Sequence, residues 1–409
     1  MRTALFLAYH FPPGGGPGVQ RSLKFVKYLP AFGWRAAVIT ATQRDYPVLD
    51  RTLLNDIPSE TPLYRVAAHD IQTLRPQFER LRLGKLLSAM NVALYLPDSN
   101  RVWAYLARRA VAEAIAAHRP DVIYSTSAPF SAHLLGQWAR KTYGLPWIAD
   151  FRDPWSEDEL LPYYPGYRAL NRRMERSVLA AANRVITVSE PLVEMFSRLS
   201  GRAYPDIQLI ENGYDEVDAP VLPAPRTSRF TIAYTGEFSR IRRPESFIAA
   251  IDSLVERGLI PLAELRIAFA GKETNKFIPD RAPFEQLGYL AHDALVDLRR
   301  DSDLLLLIHN DSDKGRGNFG GKFYEYLGSN RPTLAITGPH NVAAQRLVAA
   351  RAGIAVGHDP AQIAEAILGY YRQWKQGAFA HAPDWELIRR FTRRNLTGQL
   401  VQQFEAALP

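Results

Sequence analysis

Asn318-Phe-Gly-Gly-Lys-Phe-Tyr-Glu-Tyr-Leu-Gly-Ser-Asn-Arg-Pro-Thr-Leu-Ala-Ile336 places a glycine loop, a short helix and a buried strand in succession. Gly320 and Gly321 let backbone amides approach a ligand closely. A helix starting near Lys322 turns its unpaired N–H groups and positive dipole end toward the same point, which suits a phosphate. Glu325 follows Lys322 by three residues, so both leave one helix face. Its two carboxylate oxygens can accept from adjacent hydroxyls. Phosphate and vicinal diol together describe a nucleotide.

The same rhythm runs outward through the chain. Short unbroken apolar runs read as strands at 4–9, 36–40, 122–125, 147–151, 185–189 and 207–210. A second series falls at 231–234, 265–270, 304–308, 333–336 and 354–356. Runs of this kind are strands covered on both faces. Helical patterns between them, such as 19–29, 103–117, 132–141 and 246–256, imply right-handed crossovers and doubly wound parallel sheets. The proline-rich stretch 216–228 reads as a linker. The expected organisation is therefore an α/β domain at 1–215 and a second at 229–383, facing across a cleft. One long helix over 384–409 returns to the first domain.

The 409 residues suit two cores. The absence of cysteine excludes disulfides and thiolate metal sites. The apolar run Ala4–Ala8 is too short to span a membrane, and Pro12 and Pro13 end it unlike a signal peptide. A cytoplasmic location is expected. Net charge is +8, which points to an anionic partner. No nucleic-acid module signature is present, so nucleic acid is not an expected partner. Basic residues sit beside leucines at Arg75, Arg80, Arg82 and Lys85, and beside Leu170 and Met174 at Arg168, Arg172, Arg173 and Arg176. Such faces can adhere to an anionic membrane surface.

Ligands in these folds sit at the carboxyl ends of strands. The first strand runs into Gly14, Gly15 and Gly16, whose backbone can touch a substrate or its phosphates. The spacing is not that of a dinucleotide fingerprint, and no acidic residue ends the second strand, which excludes NAD. His133 opens a helix after the strand at 122–125. Asp150, Arg152 and Asp153 follow the next strand and can bind sugar hydroxyls or form an ion-pair network. In the second half Gly236 frees the backbone, and Arg240, Arg242 and Arg243 offer forked bonds to phosphate.

These features together resemble the retaining glycosyltransferases of family four, with the GT-B fold of two Rossmann-like domains. Phe11–Ser22, Asp150–Trp155 and Lys322–Leu327 are similar to a subgroup from bacterial surface-polysaccharide clusters. The resemblance implies a nucleoside-diphosphate sugar as donor substrate, no cofactor and no metal. The acceptor is expected to be lipid-linked or a carbohydrate, with the protein peripheral on the inner face of the cytoplasmic membrane. Arg242 or Arg243, with Lys322, would hold the diphosphate, and Glu325 the ribose. His133 would orient the acceptor or the donor sugar. The family's first motif glutamate falls on Gly317. The sugar contact is then left to Asp311, Asp313 or the amides of Phe319–Gly321. An inactive nucleotide-sugar-binding scaffold or a nucleotide-sugar epimerase are the alternatives.

Overall fold

The computed structural model describes residues 1–68, 96–158, 166–202, 206–216, 228–239, 242–309, 320–338, 340–377 and 381–409. Arg75, Arg80, Arg82 and Lys85, linker residues 217–227, Arg240, Asp311, Asp313, Gly317 and Phe319 lie outside them.

The chain divides into two compact units, Met1–Glu211 with Leu396–Pro409, and Asn212–Asn395. Strands β1 (Arg2–Leu7), β2 (Trp34–Ala41), β3 (Leu63–Val66), β4 (Val122–Thr126), β5 (Trp147–Phe151), β6 (Arg184–Thr187) and β7 (Ile207–Leu209) build the first sheet. The second contains β8 (Phe230–Thr235), β9 (Leu265–Ala270), β10 (Phe284–Gly288), β11 (Leu304–Ile308), β12 (Thr333–Ile336) and β13 (Gly353–Val356). Their orders are β3-β2-β1-β4-β5-β6-β7 and β10-β9-β8-β11-β12-β13. Every described pairing between these strands is parallel, for example Leu5 opposite Ala37 and Leu305 opposite Ala233. Both units are thus Rossmann-like doubly wound sheets.

Helices of the first unit are α1 (Pro17–Tyr28), α2 (Arg101–His118), α3 (Ser131–Tyr143), α4 (Tyr167–Ala181) and α5 (Glu190–Ser200). The second has α6 (Glu245–Glu256), α7 (His292–Arg300), α8 (Lys322–Gly328), α9 (Val342–Ala349), α10 (Pro360–Gln376) and α11 (Trp385–Arg389). Helix α12 (Arg393–Ala407) begins at the end of the second unit and continues into the first. Side-chain alternation sends each strand into two cores. Leu5 and Leu7 face one core and Ala4 and Phe6 the other. Leu304, Leu306 and Ile308 likewise oppose Leu305 and Leu307. No helix among the described residues is long and apolar enough to cross a membrane.

The structure corrects two expectations. The stretch 384–409 is two helices rather than one. Thr392 leaves helical geometry to bridge Tyr214, with the Tyr214 N–H donating to Phe391 O at 3.1 Å and the Arg393 N–H to Tyr214 O at 2.8 Å. Two edge strands, β3 and β10, join the sheets where no strand was expected. In both sheets the order reverses beside the first strand of the unit, between β1 and β4 and between β8 and β11. A crevice forms at such a switch point, outside the strands' carboxyl ends.

Candidate functional site

In the second unit, the turn after β8 is shaped by close backbone approach. The Gly236 N–H donates to Ala270 O at 2.7 Å, and a Cβ at Gly271 would lie 2.1 Å from the Gly236 carbonyl oxygen. Gly236 itself has φ of +126°, a conformation that side chains oppose. A Cβ there would also reach within 2.9 Å of Lys322 Nζ. The chain then doubles back, with Ser239 and Arg242 exchanging backbone hydrogen bonds at 3.1 Å.

Helix α8 is fastened to this turn. Tyr326 Oη accepts from the Thr235 N–H at 2.9 Å. Lys322 Nζ donates to Tyr234 Oη at 3.0 Å and lies 4.1 Å from that ring's centre. Tyr234 passes its own proton toward Glu237 O at 3.2 Å. Burial, then the neighbouring Arg242 charge, bring the Lys322 ammonium down to about 7, against a smaller opposing effect of Glu325. Lys322 is therefore poised between neutral and charged at physiological pH, next to a second cation. An incoming anion would relieve both.

Of the two alternative arginines, Arg242 is the one close enough to Lys322 to act on it. Arg243 is exposed and bonded to Glu245 at 2.7 Å on the first turn of α6. The structure does not bring Arg243 to the lysine. Glu325 is not a free carboxylate either. It accepts from buried Arg299 at 2.9 Å, while remaining partly exposed. Helix α8 has only seven residues, and its Phe323 and Tyr324 N–H groups donate back to the Gly320 and Gly321 carbonyls. The side-chain cations, rather than a long dipole, dominate this place.

One residue without a sequence signal joins them. His309 follows β11 directly across the switch point from Gly236. Its N–H donates to Ile336 O at 3.0 Å, and its carbonyl lies 3.0 Å from His358 Nε2. The ring is 3% exposed, and its Nε2 finds no partner among the described residues. Burial, followed by the Lys322 and Arg242 charges, lowers it to about 3, so it is neutral. A lone histidine after an apolar run stands out only once strand order places it at the switch point.

In the first unit the glycine loop is occupied by its own chain. The Gly14 N–H donates to Phe11 O at 3.0 Å and the Gly15 N–H to Val48 O at 2.9 Å. Contrary to expectation, these two amides are already bonded. Gly16 ends the loop at φ of +88° and begins α1. Asp150 takes the ion-pair alternative. It is fully buried and receives Arg21 in a fork at 2.8 and 2.9 Å, together with Tyr124 and, at 3.0 Å, Thr126. Burial opposes its ionisation, yet the Arg21 guanidinium holds it below the usual carboxylate range. Arg21 also bonds Ile210 O and Glu211 O, so this pair ties β5 to the end of β7.

Arg152 is closer to the loop. It donates to Gly18 O at 2.8 Å and to Ser127 O. Asp153, beside it, is pushed up by burial, partly offset by Arg152. His133 is enclosed, its Nδ1 2.8 Å from Ser125 Oγ, which in turn accepts from Trp147 Nε1 at 2.8 Å. Its Nε2 has no partner among the described residues. Burial, with opposed effects of Asp150 and Arg152, lowers it to about 3. Asp98, which the sequence did not single out, accepts from the Ser131 N–H at 2.8 Å and hydroxyl at 2.6 Å and so fixes the first turn of α3 under His133.

Comparison with known proteins bears on the fold. A search of curated proteins returned no match. Among solved structures, HepE of Anabaena in complex with UDP and glucose is 17% identical, covering 99% of this chain and 100% of that one, with a TM-score of 0.66. Sucrose-phosphate synthase of Thermosynechococcus elongatus is 15% identical over 100% of both chains, with a TM-score of 0.65. A Listeria monocytogenes protein described as a putative UDP-N-acetylglucosamine 2-epimerase is more distant, at 11% identity over 98% and 94% and a TM-score of 0.54. At these identities the likeness is one of fold. Residues 15–213 match the family model for a glycosyl transferase 4-like domain, and the chain has the GT-B fold of two Rossmann-like parallel-sheet units.

Proposed function

We propose that this chain is a retaining glycosyltransferase. It moves a hexose-type sugar from a nucleoside diphosphate to an acceptor hydroxyl. The observation that carries this reading is the pairing of Lys322 with Arg242 at the β8/β11 switch point. A diphosphate leaving group needs its developing charge stabilised, and preorganised cations do this without moving. A unit charge about 4 Å away contributes on the order of 4 kcal/mol at an effective dielectric near 20. In this reading Lys322 and Arg242 hold the diphosphate. Gly236, Gly320 and Gly321 admit it to the backbone. Glu325 accepts from the ribose hydroxyls with the oxygen that Arg299 leaves open.

Attack occurs on the leaving-group face, with a diphosphate oxygen receiving the acceptor proton. No side-chain base, metal or cofactor is required in this scheme. Arg152 and Asp153 position the acceptor, with His133 enclosed beside them and Gly16 opening the way to α1. The acceptor is lipid-linked or a carbohydrate. The exposed Leu170 and Tyr105, with Arg108 stacked 5.0 Å from the Tyr105 ring and 4.9 Å from Trp138, favour contact with an anionic membrane. Three of the α4 arginines contribute less than expected, because Arg168 bonds Ser156 O, Arg172 bonds Glu157 and Arg176 bonds Leu199 O.

The test is a thermal-shift panel of UDP, GDP, ADP, CMP and dTDP with matching nucleotide-sugars at low salt. One diphosphate should stabilise the protein selectively, and Glu325→Ala should weaken that response. Silence across the panel would remove the reading. Flotation with anionic liposomes checks the membrane contact, which is refuted by absence of salt-sensitive binding.

A further inference from the structure

The second unit holds a buried imidazole that the proposed reaction has not used. His309 sits at the carboxyl end of β11, beside the turn that presents Gly236 and Arg242 after β8. Its backbone is immobilised on both sides, by Ile336 O and by His358 Nε2. The ring is almost fully enclosed, yet Nε2 has no acceptor or donor among the described residues. A buried polar atom left unpaired is unfavourable, and native proteins leave few of them. The groups that act on this ring are both cations, Lys322 and Arg242. A third positive charge here would be repelled. A neutral ring carrying a proton on Nε2 is not, and it can donate to an anion those cations attract.

We propose that His309 is a third ligand of the diphosphate, its Nε2–H donating to a phosphate oxygen held by Lys322 and Arg242. This rests on reading the second unit as a nucleoside-diphosphate site. The arriving anion satisfies the orphaned nitrogen and offsets the cationic field that, after burial, adds to the ring's resistance to protonation. His309 consequently gains proton affinity when ligand binds. The hydrogen bond follows the leaving group through the reaction, because its acceptor gains charge as the sugar departs.

The experiment uses the full chain labelled with 15N-histidine and observes ring nitrogens with UDP and with inorganic pyrophosphate. Loss of one signal in His309→Gln identifies the residue. Both probes should move the His309 Nε2 resonance and raise the pH at which it titrates. By calorimetry, His309→Ala should bind both probes about tenfold more weakly. His309→Gln, whose amide offers an N–H at similar reach, should recover most of the loss. UDP binding of ordinary strength with an unmoved Nε2 signal would overturn the His309 assignment while leaving the donor site intact. If wild-type protein bound neither UDP, GDP, ADP nor pyrophosphate, the donor-site reading and the His309 assignment would both fall. Either His309→Gln or His309→Ala supplies the assignment, and the wild-type spectra then decide the matter.

Discussion

In the proposed donor site, Lys322 would link ligand binding to protons. In the ligand-free chain its ammonium titrates near 7, pulled down first by burial and then by Arg242. A bound diphosphate adds negative charge and raises that value again. Binding above pH 7 must therefore take up protons, and affinity falls as pH climbs from about 7 toward the value in the complex. The effect on folding has the opposite sign. Between about 7 and the ordinary lysine range the unfolded chain holds the extra proton, so stability of the free protein rises with pH across that window. Calorimetry at pH 7.5 in buffers of different ionisation enthalpy should give a net proton uptake that Lys322→Gln abolishes. A buffer-independent heat in the wild type would show that the lysine is charged already.

At the scale of elements, most of the fold was legible because interior parallel strands carry unbroken apolar runs. Trp147–Phe151 and Leu304–Ile308 are buried at every position and were readable to the residue. The edges were not. In β3 no residue is fully buried, and β10 places Glu285 and Gln286 within Phe284–Gly288, since each edge has one neighbour and less covering. The sites divide similarly. Lys322 and the Gly236 turn announce themselves by composition. The separation of Arg242 from Arg243, the pairing of Glu325 with Arg299 and the position of His309 depend on contacts far apart in sequence. Gly271 belongs with these. It follows an ordinary strand end, yet its Cβ position is blocked by the Gly236 carbonyl oxygen. Gly271→Ala must push the two turns apart, costing about 1–3 kcal/mol and displacing the Gly236 backbone from Lys322. Chemical unfolding should show the first effect. Nucleotide affinity should fall beyond what the stability loss explains; unchanged affinity would separate this turn from the donor site.

For the whole molecule, the course of the last helix decides which unit each end of the chain supports. Residues from Leu396 onward belong to the first unit, although Asn212–Asn395 form the second. Leu396, Leu400, Val401 and Phe404 complete a core with Phe6, Trp34 and Tyr124. The Phe404 ring lies 5.1 Å from Trp34 and 6.4 Å from Phe6, centre to centre. Removing a buried aromatic side chain costs about 3–5 kcal/mol. In a unit of this size that shifts unfolding by roughly 10 °C. The proposed donor residues Arg242, His309, Lys322 and Glu325 all lie in the other unit. Phe404→Ala should therefore lower the first-unit transition in calorimetry and leave the second-unit transition in place. The nucleotide chosen by the thermal-shift panel should raise the second transition in wild type and variant alike. If instead it raised only the first, the diphosphate would be held by residues such as Arg152 and His133, and the assignment of donor binding to the second unit would have to be reversed.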